Sequence, residues 1–186
     1  MVDEGILSRY WKAYGGFKAL FSSAYLYFAI VLSILMAPAW LNNPWHELVL
    51  SIMPSVLGFS LGGYALLIAV GDESFRALIS GEDEDGEPSP YMEVNAAFVH
   101  FILMQILSLI FGLFANAYYF KLEESPVLYQ YISELNFPIG AIILIGNFIG
   151  YTTFIYALLL AVAATLAILR MSSWYDHMHT EIKKQK

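Results

Sequence analysis

The charged residues of this 186-residue chain are separated by four long uncharged stretches. Lys18 and Glu47 bracket one from Ala19 to about Leu41; Glu47 and Asp72 bracket Leu48 to Gly71. Glu93 and Lys121 bracket Val94 to Phe120, and Glu134 and Arg170 bracket Leu135 to Leu169. Each supplies the ~20 apolar residues that cross ~30 Å of hydrocarbon as a helix. Helices of a soluble bundle keep a polar face, and none of these four has a charged one. The expected fold is all-α: a polytopic membrane protein with four transmembrane helices, spanning about 19–41, 48–71, 94–120 and 138–169.

Composition agrees. Charged residues make up 13% and hydrophobic residues 59% of the chain, against roughly 25% and 45–50% in soluble domains. Without cysteine, disulfides, thiolate metal sites and cysteine nucleophiles are excluded. A net charge of -7 argues against nucleic acid, whose phosphates need clustered Lys and Arg. The first apolar run lacks a small-x-small cleavage site and is long enough to stay in the bilayer. No Asn-x-Ser/Thr sequon occurs, which fits a bacterial inner-membrane protein.

Orientation follows from the cations. Arg9, Lys12 and Lys18 precede the first span, Arg76 lies in the middle connection, and Arg170, Lys183, Lys184 and Lys186 follow the last span. Only Lys121 falls on the other side, so the positive-inside rule puts the N and C termini in the cytoplasm. Trp40 and Trp45, Tyr118 and Tyr119, and Trp174 and Tyr175 sit near span ends, as an interfacial aromatic belt would.

Outside the transmembrane domain (19–170), three segments stand out. Residues 1–18 hold a short interfacial helix over 5–17, with Ile6, Tyr10, Trp11, Tyr14 and Phe17 at helical spacing beside Arg9 and Lys12; the alternative is a cytoplasmic start of the first span, packed on its neighbours. Ser125-Pro126 opens a second short helix at the outer surface, ahead of Pro138. The cytoplasmic loop 72–93 carries Glu82, Asp83, Glu84, Asp85 and Glu87, then Ser89-Pro90 as a cap for the third helix. An EF-hand register on Gly86 would place Gly81 and Met92 at ligand positions. Both fail, leaving a solvated acidic loop that can serve as a partner-binding segment.

Polar and small residues inside the spans are the remaining candidates. Gln105, Ser108, Gly112 and Asn116 share one side of the third helix, and Asn147 and Gly150 one side of the fourth. Pro54, Gly58 and Gly62 recur every four residues in the second. Helix packing accounts for all three faces; the alternative is a water-lined path on the axis of a homo-oligomer. His100, inside the third span, is either a switch or a histidine hydrogen-bonded to a neighbouring helix. Asp176, His177 and His179 fall short of a metal set, so no metal and no cofactor is expected. No nucleophile–base–acid arrangement is present, and the chain reads as a non-enzyme.

Leu57-Gly58-Phe59-Ser60-Leu61-Gly62-Gly63-Tyr64, Gly71-Asp72-Glu73 and Asn95-Ala96-Ala97-Phe98-Val99-His100-Phe101 resemble a family of small bacterial inner-membrane proteins with four helices. The resemblance covers roughly 45 residues of the second and third spans and their loop. It implies a multi-pass protein of the bacterial cytoplasmic membrane and no particular activity. Two functions are expected from the whole. One is a non-enzymatic homo-oligomer acting as a channel-like or membrane-perturbing effector of a stress or anti-phage system. The alternative to it is a membrane anchor or sensor that recruits a soluble cytoplasmic partner through its acidic loop and C-terminal tail (171–186).

Overall fold

The computed structural model describes residues 5–69, 79–81, 88–118 and 139–184, and these are helical or in short connections, with no strand among them. In chain order the helices are α1 (Ile6–Tyr14), α2 (Gly16–Phe21), α3 (Ala24–Leu35), α4 (Ala37–Leu41), α5 (Trp45–Ala69), α6 (Pro90–Ala117) and α7 (Ile139–Lys184). Three of them, α5, α6 and α7, are long and apolar enough to cross a membrane. The acidic residues 82–87, the segment 121–137, Arg76, Lys121 and Pro138 lie outside the described residues.

The first apolar run does not form one helix. Ser23 has an extended backbone (φ -71°, ψ 117°) between α2 and α3, a place where serine readily interrupts helical pairing. A second break falls at Met36, just ahead of Pro38. Proline has no N–H to give the carbonyl four residues back, and its ring presses on that carbonyl. The Trp40 indole then folds back and donates to the Ser33 carbonyl at 2.8 Å, supplying a donor at the end of α3. The expected N-terminal helix is also two helices. Gly15 adopts φ 93° and turns the chain between them, a left-handed conformation that suits glycine.

Residues on facing helices fix the packing. Tyr64 with Asn95, and Ser60 with Gln105, pair α5 antiparallel to α6. His100 with Tyr156, and Phe111 against Gly150, pair α6 antiparallel to α7. Met36 reaches Tyr151 and Trp40 reaches Phe148, so α3 and α4 run antiparallel to α7. The core lies along α7, where Tyr151, Phe154, Tyr156 and Ala157 are almost wholly buried, together with Val49, Met53, Val94 and Phe98. Large apolar side chains such as Phe59, Leu66, Leu113 and Phe114 are turned outward, which suits lipid and not water.

Helix α6 starts as its sequence predicts. The Ser89 hydroxyl accepts from the Met92 N–H at 3.3 Å, and Pro90 follows it in the first turn. Helix α7 departs from the expected end near Leu169: its 46 residues continue to Lys184, a length of about 69 Å.

Candidate functional site

His100 organises the most elaborate polar cluster among the described residues. It is 3% exposed and lies seven residues, about 10 Å, along α6 from Glu93. The Tyr10 hydroxyl is 2.8 Å from its Nδ1, and its Nε2 is 3.2 Å from the Tyr156 hydroxyl. One ring nitrogen donates and the other accepts, and a phenol can do either, so both bonds are satisfied in either tautomer. The Tyr14 ring stacks on the imidazole at 3.9 Å between centroids and 16° between planes. Residues from α1, α6 and α7 are thereby fastened together.

Burial pushes the Tyr10 phenol from 10.0 up to about 12, with a smaller push from Tyr156. Burial raises Tyr14 as well, followed by its hydrogen bond to Tyr156. Both rings belong to the face of α1 that packs on α6, while Ile6, Leu7, Arg9 and Lys12 remain exposed. Helix α1 is thus an amphipathic helix docked on α6 and set off from α3 by the breaks at Gly15 and Ser23.

Beside this cluster opens a cleft of about 600 Å³. Its walls are Tyr10 and Trp11 of α1, Leu20 and Phe21 of α2, Leu26 of α3, the edge of α6 from His100 to Ile110, and Thr152, Thr153 and Tyr156 of α7. The walls are apolar apart from the phenols, the imidazole and the two threonines. Thr153 returns its hydroxyl to the Ile149 carbonyl at 2.8 Å. Thr152, 8% exposed, has a buried hydroxyl with no partner among the described residues.

The other expected site residues separate into contacts within the chain and positions on the outside. Gln105 is wholly buried and donates from Nε2 to Ser60 Oγ at 2.9 Å. Ser108 is wholly buried on the same helix. Gly112 lies against Val49, 3.1 Å from where a Cβ would stand. Asn147 accepts from the Trp45 indole at 3.1 Å, and Gly150 makes room for that ring. Asn116 is exposed at the end of α6. Pro54, Gly58 and Gly62 are exposed along α5, with open space around both glycines.

Trp40 and Trp45 correct the expected aromatic belt: they are 7% and 5% exposed and sit inside the protein. Tyr118 is exposed, and Trp174 is half-buried with the Arg170 guanidinium 5.2 Å above its ring. What sequence reasoning missed is Tyr10, Tyr14 and Tyr156 as partners of His100. Tyr10 and Tyr14 stand four apart on an amphipathic helix, the only signal that both could meet one residue. No family model, curated protein or solved structure matches this chain.

Proposed function

We propose that this chain is a non-enzymatic anchor or sensor of a bacterial cytoplasmic membrane, crossing it four times with both termini in the cytoplasm. It recruits a soluble partner through its acidic loop and its C-terminal helix. The observation that carries this reading is the length of α7. A crossing needs ~20 residues, yet the helix runs unbroken for 46. The surplus places Ser172, Ser173, Asp176, His177 and Lys183 on an exposed helical surface, rigidly continuous with a helix that lines the His100 cleft. Movement at one end has a direct path to the other.

Supporting the fourth crossing, α3 and α4 together cover Ala24–Leu41, about 27 Å if nearly in line, and lie antiparallel to α7. The cation distribution supports the orientation.

A second reading, the channel-like homo-oligomer of a stress or anti-phage system, is favoured by one feature: the Pro54–Gly58–Gly62 stripe is exposed, and both glycines have open space around them among the described residues. Close helix approach at such stripes is how membrane helices associate. Against it, Gln105 and Asn147 spend their amides inside the protomer.

Liposome conductance and partner capture separate the two. The anchor reading expects no conductance, and a soluble protein that co-purifies until Glu82, Asp83, Glu84, Asp85 and Glu87 are changed to Gln and Asn. Conductance altered by Asn116→Leu would replace it with the channel.

A further inference from the structure

We infer that the cleft beside His100 is a binding site for one anionic phospholipid of the leaflet that α1 borders, an acyl chain lying along α6 and the phosphate meeting Arg9, Lys12 and Lys18. Three observations converge on this occupant. The cleft volume, about 600 Å³, is in the range of small-molecule sites, roughly 300–1,000 Å³. Its polarity is graded: Tyr10, His100 and Tyr156 cluster at one end, and the wall from Leu103 to Ile110 continues as hydrocarbon for about 10 Å. An amphiphile has the same gradient, with its ester region near the phenols and its chain toward the membrane interior.

The third is charge. From Gly5 to His46 the chain carries Arg9, Lys12 and Lys18 and no Asp or Glu, although the whole chain is acidic. All three cations are exposed, and they stand next to or two residues from the wall residues Tyr10, Trp11 and Leu20. A cationic helix at headgroup level draws anionic lipid.

The test is native mass spectrometry of the full chain in detergent, titrated with phosphatidylglycerol or with phosphatidylcholine of the same acyl chains. One phosphatidylglycerol per chain should be retained, at least about tenfold more tightly than phosphatidylcholine. Leu107→Trp, which fills the cleft, should weaken retention by about tenfold or more, and Leu113→Trp, on the exposed surface, should not. The triple variant R9Q/K12Q/K18Q should keep one lipid and lose the preference between headgroups. Equal retention of both lipids by the parent chain would overturn the proposal, as would full retention by Leu107→Trp. Should that variant not fold, the triple variant decides alone because it alters exposed side chains only: an undiminished preference for phosphatidylglycerol overturns the site.

Discussion

The Tyr10 hydroxyl, on a short amphipathic helix, lies 2.8 Å from Nδ1 of His100, ninety residues away in the sequence. This bond, with Tyr14 stacked on the same imidazole, is what docks α1 on the bundle. His100→Phe keeps an aromatic ring for Tyr14 and removes both hydrogen bonds. Only the Tyr10 bond joins α1 to the bundle, so about 1 kcal/mol of docking is lost. Limited proteolysis in nanodiscs should then cut near Gly15 faster than in the parent protein, with cleavage elsewhere unchanged. Equal cutting at Gly15 would deny the bond this role.

A pH dependence follows from the same contact. Folding raises the Tyr10 phenol from 10.0 to about 12, so the docked state favours the protonated ring. Its contribution is fully present below pH 10 and disappears as the pH rises through about 12. Tyrosinate absorbance should contain a late-titrating component that Tyr10→Phe reduces. Superimposable titrations of the two proteins would contradict this environment.

Glycine tells the inside of the bundle from the outside. A Cβ at Gly150 would stand 2.5 Å from Trp45 Cη2, and that indole is held by Asn147. Gly150→Ala should cost about 1–3 kcal/mol. Gly58→Ala and Gly62→Ala meet nothing within 4 Å among the described residues and should gain up to about 1 kcal/mol from helix propensity. Thermal unfolding in nanodiscs gives the stabilities. Light scattering of the same α5 variants reports whether the stripe associates, because added methyl groups would weaken a close helix contact.

Between α5 and α6, Ser60 and Gln105 answer differently to removal. Ser60→Ala strands a wholly buried amide and should cost about 1–3 kcal/mol. Gln105→Leu removes that amide together with its buried Oε1, which has no partner among the described residues, so its cost should be small. Ser60 still donates to the Val56 carbonyl at 2.7 Å. Denaturant unfolding compares the two. A larger loss for Gln105→Leu than for Ser60→Ala would refute this view of the pair.

Helical continuity through the end of α7 is open to a proline test. Ser173→Pro removes an N–H and crowds the Leu169 carbonyl, at about 3 kcal/mol or more. Spin labels at Leu166 and Thr180, about 21 Å apart along an unbroken helix, should give a narrow distance distribution in the parent and a broad one in the variant. Membrane insertion should be unaffected.

Hydropathy made α5, α6 and α7 legible because burial in lipid imposes length and apolarity residue by residue. The Ser89-Pro90 start of α6 was legible because capping is local. Gln105, Ser108 and Gly112 could be placed on one face of a helix, but which helix they meet depends on packing between distant segments. The interruption at Ser23 and Met36 escaped a reading based on charge gaps, since serine and Pro38 leave hydropathy high while breaking backbone pairing. Trp40 and Trp45 were misplaced for a related reason: indoles near a span end suit headgroups, yet an Asn147 amide or a Ser33 carbonyl can satisfy the same N–H inside. Helix α7 passes its hydrophobic boundary because nothing between Arg170 and Lys184 breaks a helix: no glycine or proline occurs there.

The number of crossings, on which the anchor reading depends, can be measured directly because the chain has no cysteine. Single cysteines at Ser8, Asn43 and Ser172, all exposed, can be probed with a membrane-impermeant maleimide on bacterial spheroplasts. With four crossings and cytoplasmic termini, Asn43→Cys labels in intact spheroplasts, while Ser8→Cys and Ser172→Cys label only after the membrane is opened. Labelling of Ser8→Cys and Ser172→Cys from opposite sides would mean an odd number of crossings and would contradict the account.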